Sequence, residues 1–318
     1  MTRYAITGAS GPFGQGVVHH LLAQGIPASD LILLSRNPDK LASFAAAGAV
    51  VQRADFDDYG SMTNGLCGAD RMLMISALKV GFRIPQHTRA IDAAREAGVG
   101  HVVYTSYIGK EPNNPSLAVV DHRGTEAVLR QSGLVWTSLR NAQYADALVE
   151  AAPRVPLRTG VWQGATGEGR MPVVTRDDCI RSAAFALLAP DTANRTFNIT
   201  GPECLTYRAI SQIIAEVANF PIRWVDVTPE ERYAFFDAMG VPREAVPDHS
   251  VDAIPWSSDD IVSMEVGIHD GWFDIQSRDV ELLTGTAAQS FRDFALSRQD
   301  DLRALVAEGA LLAERTGR

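Results

Sequence analysis

Gly8, Gly11 and Gly14 recur at even intervals in AITGASGPFGQGVVHHLLAQG, between an apolar run and a segment with helical apolar periodicity. Strand, glycines, then helix is the order that cradles a phosphate, because the helix start offers free N–H groups and the positive end of its dipole. In such a loop Gly8 permits the tight turn, Gly11 lets the backbone approach a pyrophosphate, and Gly14 lets the helix pack closely on the strand. The spacing G-x-x-G-x-x-G carries one residue more than G-x-G-x-x-G. A dinucleotide is the expected ligand.

The next chemistry lies at the end of the second apolar run, LILLSRNPDK. An NAD site usually places Asp or Glu there, on the ribose 2′-hydroxyl. Here Ser35 and Arg36 stand instead, with Lys40 one turn on. Arg36 can fork onto a 2′-phosphate that an acid would repel, and Asn37-Pro38 would start a helix aimed at the same group. The cofactor read from these residues is NADP(H). Asp55 and Phe56, in ADFDD, fit either the border of the adenine or a plain polar turn. Further on, DHRGTEAV places His122 and Glu126 four residues apart, on one helix face. A reactive pair and an exposed ion pair both fit that spacing.

Elements to position these residues are legible in the same way. Apolar runs at 3–7, 31–35, 49–55, 71–76, 101–106 and 135–140 alternate with helical patterns such as PQHTRAIDAAREAG and DHRGTEAVLRQSG. Runs apolar throughout, separated by helices, predict βαβ units and a parallel sheet covered on both faces. The fold class is α/β, a Rossmann-like doubly wound sheet over residues 1–150. VVTRDDCIRSAAFALLAP reads as a helix capped at Thr175 or Asp177, and TFNIT (196–200) as a further strand, so 172–201 returns to the first domain. Residues 202–318, with 151–171 contributing, form a smaller α+β substrate lobe; Thr206 caps a helix there, and IRWVDVT reads as a strand.

Composition narrows the classes. The 318 residues are 46% hydrophobic and 21% charged, ordinary for a globular protein. A net charge of −9 disfavours broad binding to nucleic acid. No apolar run approaches the roughly 20 residues that span a bilayer. Three scattered cysteines and seven scattered histidines offer no disulfide framework and no metal-ligand spacing. A cytoplasmic protein with no metal is expected.

Strand arrangement and glycine spacing resemble the short-chain dehydrogenase/reductase superfamily. Most of its active members use Tyr-x-x-x-Lys, where the lysine lowers the tyrosine pKa. None of Tyr4, Tyr59, Tyr104, Tyr107, Tyr144, Tyr207 and Tyr233 has Lys four residues later. The motifs AITGASGPFG, SRNPDK, ADFDD, KVGFRIPQH, YTS, DHRGTEAVLRQSG, LRNAQYADAL, VTRDDC and TGPECLTYRAI, in that order, resemble the NmrA-like family of atypical short-chain dehydrogenases. The likeness is greatest to its quinone oxidoreductase type 2 and triphenylmethane reductase branch.

The resemblance implies site residues one by one. Gly8, Ala9, Ser10, Gly11, Pro12, Phe13 and Gly14 would hold the pyrophosphate. Arg36 would take the 2′-phosphate, with Lys40 assisting. Ser76, Ala77 and Leu78 would border the nicotinamide ribose, with fewer serines than the family often has. Tyr104, Thr105 and Ser106 end the fifth strand. Asn141 and Tyr144 would flank the nicotinamide end and orient substrate, and Thr175-Arg176 would close over it. His122 is the candidate proton donor or substrate contact. Trp256, Trp272 and Phe273 could stack on an aromatic substrate or pack in the core.

Without the usual acid, hydride transfer from NADPH suits an acceptor that is already electron-poor: a quinone, a quinone methide or a cationic dye. The alternative is a non-catalytic NADP(H)-sensing regulator of the NmrA type, which would need a protein partner. A homodimer stays open under either reading.

Overall fold

The computed structural model describes residues 2–109, 112–246 and 257–316. Its strands are β1 (Tyr4–Ile6), β2 (Leu31–Ser35), β3 (Val50–Arg53), β4 (Arg71–Met74), β5 (His101–Tyr107), β6 (Val135–Asn141), β7 (Gln143–Tyr144), β8 (Val161–Gly164), β9 (Arg170–Val174), β10 (Arg195–Ile199), β11 (Cys204–Thr206) and β12 (Arg223–Asp226). Seven of them form one sheet in the order β3-β2-β1-β4-β5-β6-β10, every pair parallel. The chain reverses direction across the sheet between β1 and β4, so the crevice beyond their carboxyl ends is where an open α/β sheet takes its ligand.

Helices cover both faces: α1 (Pro12–Ala23), α2 (Ala42–Ala46), α3 (Tyr59–Gly65), α4 (Arg83–Glu96), α5 (Leu117–Gln131) and α8 (Arg176–Leu188), while α6 (Ala145–Glu150) and α7 (Pro156–Thr159) pack beside β7 and β8. Alternate residues of each strand feed two separate cores. Ile6, Leu33, Leu73, Val103 and Leu139 meet Val17, Val18 and Cys179 on one side. Ala5, Ile32, Met72, Val102 and Tyr104 meet Ile91, Ala94 and Leu129 on the other. Strands buried on both faces are why the runs read as continuously apolar. α8 lies beside α1, and a Cβ on Gly16 would stand 2.7 Å from the Ile180 Cδ1; the glycine lets the two helices meet.

The remaining elements are α9 (Tyr207–Ala218), α10 (Pro229–Ala238), α11 (Ser258–His269), α12 (Asp279–Thr284), α13 (Phe291–Ser297) and α14 (Gln299–Thr316), with two small sheets, β11-β9-β7 and β12-β8. Thr175 and Thr206 cap α8 and α9 through their hydroxyls, and Thr228 opens α10 in a reciprocal capping box with Glu231. The third strand is shorter than its apolar run, ending at Arg53, because Asp55 turns the chain. The helix expected from Asp121 begins at Leu117. Among the described residues no helix is long and apolar enough to cross a membrane.

Candidate active site

β1 delivers the chain to the glycine loop. The Thr7 hydroxyl donates to the Leu73 carbonyl (3.3 Å) and accepts from the Ile75 amide (2.9 Å), locking the ends of β1 and β4 together. Gly8 has φ +59°, a left-handed conformation that costs an L side chain. A Cβ on Gly14 would lie 2.6 Å from both Ala9 Cα and the Gly8 carbonyl oxygen, so only glycine lets α1 start this close to the strand. Gly11 precedes α1 without a side-chain cap, and Pro12 occupies the first turn. The following amides are left for a ligand.

The Ser35 hydroxyl, at the end of β2, donates to Ser10 Oγ (2.7 Å) and accepts from the Asn37 amide (2.9 Å). Arg36 sits between these two attachments. It is exposed, like Lys40, and its guanidinium has no ion-pair partner among the described residues. The helix start expected at Asn37-Pro38 is one 3-10 turn, Pro38–Leu41, too short for much dipole. Asp55 holds a local turn, its carboxylate accepting from the Asp57 amide, and the Phe56 ring meets His87 edge-on at 5.7 Å.

Beyond β4, the loop through Ser76, Ala77 and Leu78 has its backbone held by side chains. The Ser76 amide donates to Thr105 Oγ1 (2.9 Å) and the Ala77 amide to His87 Nε2 (2.9 Å). Arg83 reaches back, its Nε donating to the Ala77 carbonyl (2.7 Å) and its Nη2 to that of Leu78 (3.0 Å). The Gly81 amide donates to Asp121 Oδ2 at 2.6 Å.

His122 lies behind this loop. Its Nε2 accepts from Arg83 Nη1 (3.3 Å), so a neutral ring carries its proton on Nδ1, 2.6 Å from the Tyr104 hydroxyl. Burial, with Arg83 and then His87 beside it, pushes the imidazole well below its ordinary pKa. Both ring nitrogens therefore have partners within the protein. Tyr104 is fully buried, and burial raises its phenol pKa. Glu126 is buried rather than an exposed partner of His122. It accepts from Ser106 Oγ (2.7 Å), from Arg140 Nε (2.9 Å) and Nη2 (2.7 Å), and from Arg130 (2.7 Å). These donors outweigh desolvation and hold its carboxyl below the usual range. The surface-pair reading is corrected by this burial.

At the end of β6, Asn141 Nδ2 donates to the Tyr144 hydroxyl (3.1 Å), while Asn141 Oδ1 is buried with no partner among the described residues. A buried carbonyl oxygen left without a donor is costly unless a ligand supplies one. Tyr107, on β5, packs near His122 and Phe273, at 6.0 and 5.8 Å between ring centres. Arg176 starts α8; its amide donates to Asp146 Oδ2 (2.7 Å), and its guanidinium lies 3.6 Å from Asp146 and 3.7 Å from Glu150. Phe273 is fully buried and Trp272 packs on the core, while Trp256 lies outside the described residues.

Arg83, His87 and Thr7 carry much of this geometry and were not singled out by spacing, while Ser35, read only as standing where an acid is usual, anchors the turn. Arg83 and His87 lie within KVGFRIPQH, where an arginine and a histidine close to a strand end were the available signal. The glycine cradle, the unpaired cation after β2 and the unsatisfied Asn141 oxygen together fit a dinucleotide with a 2′-phosphate at one end and a hydrogen-bond donor at the other.

Comparison with known proteins agrees. The NAD(P)H-binding family matches residues 8–178. Quinone oxidoreductase 2 of Escherichia coli strain K12 is 32% identical over 238 residues, covering 75% of this chain and 82% of that protein. The structure of an Escherichia coli NADPH-dependent quinone oxidoreductase with NADPH superposes with a TM-score of 0.81 at 28% identity, over 92% of this chain and 98% of that one. The Citrobacter sp. triphenylmethane reductase complexed with NADP(H) gives 0.80 at 28% identity, over 93% and 99%. The chain belongs to the NAD(P)H-binding family, in the branch of the quinone oxidoreductase 2 and triphenylmethane reductase proteins.

Proposed function

We propose that the protein is an NADPH-dependent reductase of quinone-like or other conjugated aromatic acceptors. The glycine loop from Gly8 to Gly14 would hold the pyrophosphate, and Arg36 with Lys40 the 2′-phosphate. Asn141 Oδ1 would accept from the nicotinamide end, with the Tyr144 hydroxyl keeping the amide in place. When bound, NADPH supplies a hydride to the acceptor.

One observation carries the choice of acceptor. Burial raises the phenol pKa of Tyr104, Tyr107 and Tyr144, and no lysine follows any of them at the activating spacing. A phenol in that state is a poor acid at neutral pH. The acceptor must therefore be electrophilic before any proton arrives, as a quinone or a cationic dye is, and water completes the protonation. The protein's contribution is orientation, holding a flat acceptor against the cofactor face. His122, neutral and bonded at both nitrogens, serves here as a positioning residue for Tyr104 and Arg83.

The test is NADPH oxidation at 340 nm against quinones, triphenylmethane dyes and enones, with NADH as control. Turnover with quinones or dyes and none with simple enones is expected. Tight NADPH binding with no turnover on any acceptor would refute the reading and favour a sensor.

A further inference from the structure

Leu78 is the most exposed large apolar side chain of the described residues, at 66%. It sits at the tip of the loop after β4, whose backbone is among the most restrained in the crevice. Ile75, Ser76, Ala77 and Gly81 give their amides to Thr7, Thr105, His87 and Asp121, and Arg83 takes the carbonyls of Ala77 and Leu78. The next residue, Lys79, donates from Nζ to the Val246 carbonyl at 2.7 Å, tying the tip to the small lobe. Val246 is itself 44% exposed. The loop tip is thus tied to that lobe through Lys79, with Leu78 left exposed where the sheet's ligand crevice opens. A loop this well fastened pays no ordering entropy when a ligand arrives, and an exposed leucine on it gains by being covered.

We propose that Leu78 is a specificity-determining residue that contacts the acceptor's apolar ring substituents, and that His87 and Arg83 are positioning residues that hold it there. This rests on the reductase reading above. His87 suits the task because its Nε2 accepts from the Ala77 amide while Nδ1–H donates to Thr125 Oγ1 (2.9 Å), which in turn donates to the Asp121 carbonyl (3.0 Å). The loop is thereby fixed to α5. With Ala77 and Leu78 in the chain, selection at this wall is by apolar contact rather than by hydroxyl hydrogen bonds.

The experiment is calorimetric binding to the full-length protein in saturating NADP+, comparing 2-methyl-1,4-naphthoquinone with a ring-sulfonated naphthoquinone, for wild type and Leu78→Ser. Dissociation constants for NADPH are measured alongside. Leu78→Ser should weaken the methylated quinone about 10-fold, the scale of a lost hydrophobic pocket contact, and leave the sulfonated quinone within about 2-fold. His87→Leu should reduce the same discrimination, and His87→Gln, whose Oε1 can still accept from Ala77, should restore it. A merely structural His87 would lower the melting temperature without moving the ratio of the two affinities. Equal weakening of both quinones, no weakening of either, or a matching loss of NADPH affinity would overturn the proposal. Wild-type protein that binds neither quinone would refute the reductase reading itself; wild-type discrimination unchanged in Leu78→Ser would leave that reading standing and remove Leu78 from it.

Discussion

Arg36→Ala isolates the phosphate end of the site. Arg36 is exposed and forms no ion pair among the described residues. The turn that carries it is held by the Ser35 hydroxyl, through Ser10 and Asn37. Removing the guanidinium therefore breaks nothing in the fold, and stability to urea should change by less than about 0.5 kcal/mol. What is lost is a charge-assisted contact to a 2′-phosphate, worth about 1.5–3 kcal/mol in general and toward the lower end at an exposed site. At about 1.4 kcal/mol per tenfold, NADPH affinity should fall roughly 10- to 30-fold. NADH, which lacks the phosphate, should bind as before. Titration calorimetry with both nucleotides on wild type and variant reads the difference, and raising ionic strength should narrow the wild-type preference as the charges are screened. Equal weakening of NADPH and NADH, or no weakening of either, would refute the assignment of Arg36 to the 2′-phosphate.

Two further outcomes follow from the buried polar groups. Glu126→Ala removes the buried acceptor shared by Ser106, Arg130 and Arg140, so urea denaturation should show a loss of about 3 kcal/mol; a loss under about 1 kcal/mol would contradict the ion network described here. His87 and His101 have pKa values pulled down to about 3 and about 4, chiefly by burial and then by Arg83 and Arg71 respectively. Because the unfolded chain takes up these protons first, their contribution is complete above about pH 6.5 and is lost as the pH falls toward those values. Stability should drop by about 1.4 kcal/mol per pH unit for each histidine below pH 6.5, and His101→Gln should make the slope shallower. A denaturation midpoint flat between pH 7 and pH 5 would count against the depressed values.

The sheet was legible because its signals are local: apolar runs of strand length, a glycine loop and helix starts such as the Thr206 cap and Pro229 all sit within a few residues of the structure they specify. The tight glycine turn and the exposed Arg36 were legible for the same reason, since Gly8 to Gly14 and Arg36 each lie at a strand end. His122 and Glu126 were visible as a pair on one face, but their burial depends on Arg140 from β6 and Arg83 from the start of α4, which spacing along α5 does not reveal. Arg83 and His87 escaped notice because their partners, Ala77, Leu78 and His122, are fixed by tertiary packing. The small lobe was read only coarsely. Its strands are three to five residues long and pair across large separations, β8 with β12 and β9 with β11, so no short window contains the partner.

Ser35 has one more consequence. Its single hydroxyl anchors the chain on both sides of residue 36, so the shape of that turn is independent of the side chain displayed there. With Arg36 on the 2′-phosphate, as proposed, nucleotide choice would be separable from architecture: exchanging one amino acid would alter which ribose is welcomed, while the glycine loop kept its form. On that proposal, a lineage built on this frame would drift between NADPH and NADH without passing through a misfolded intermediate.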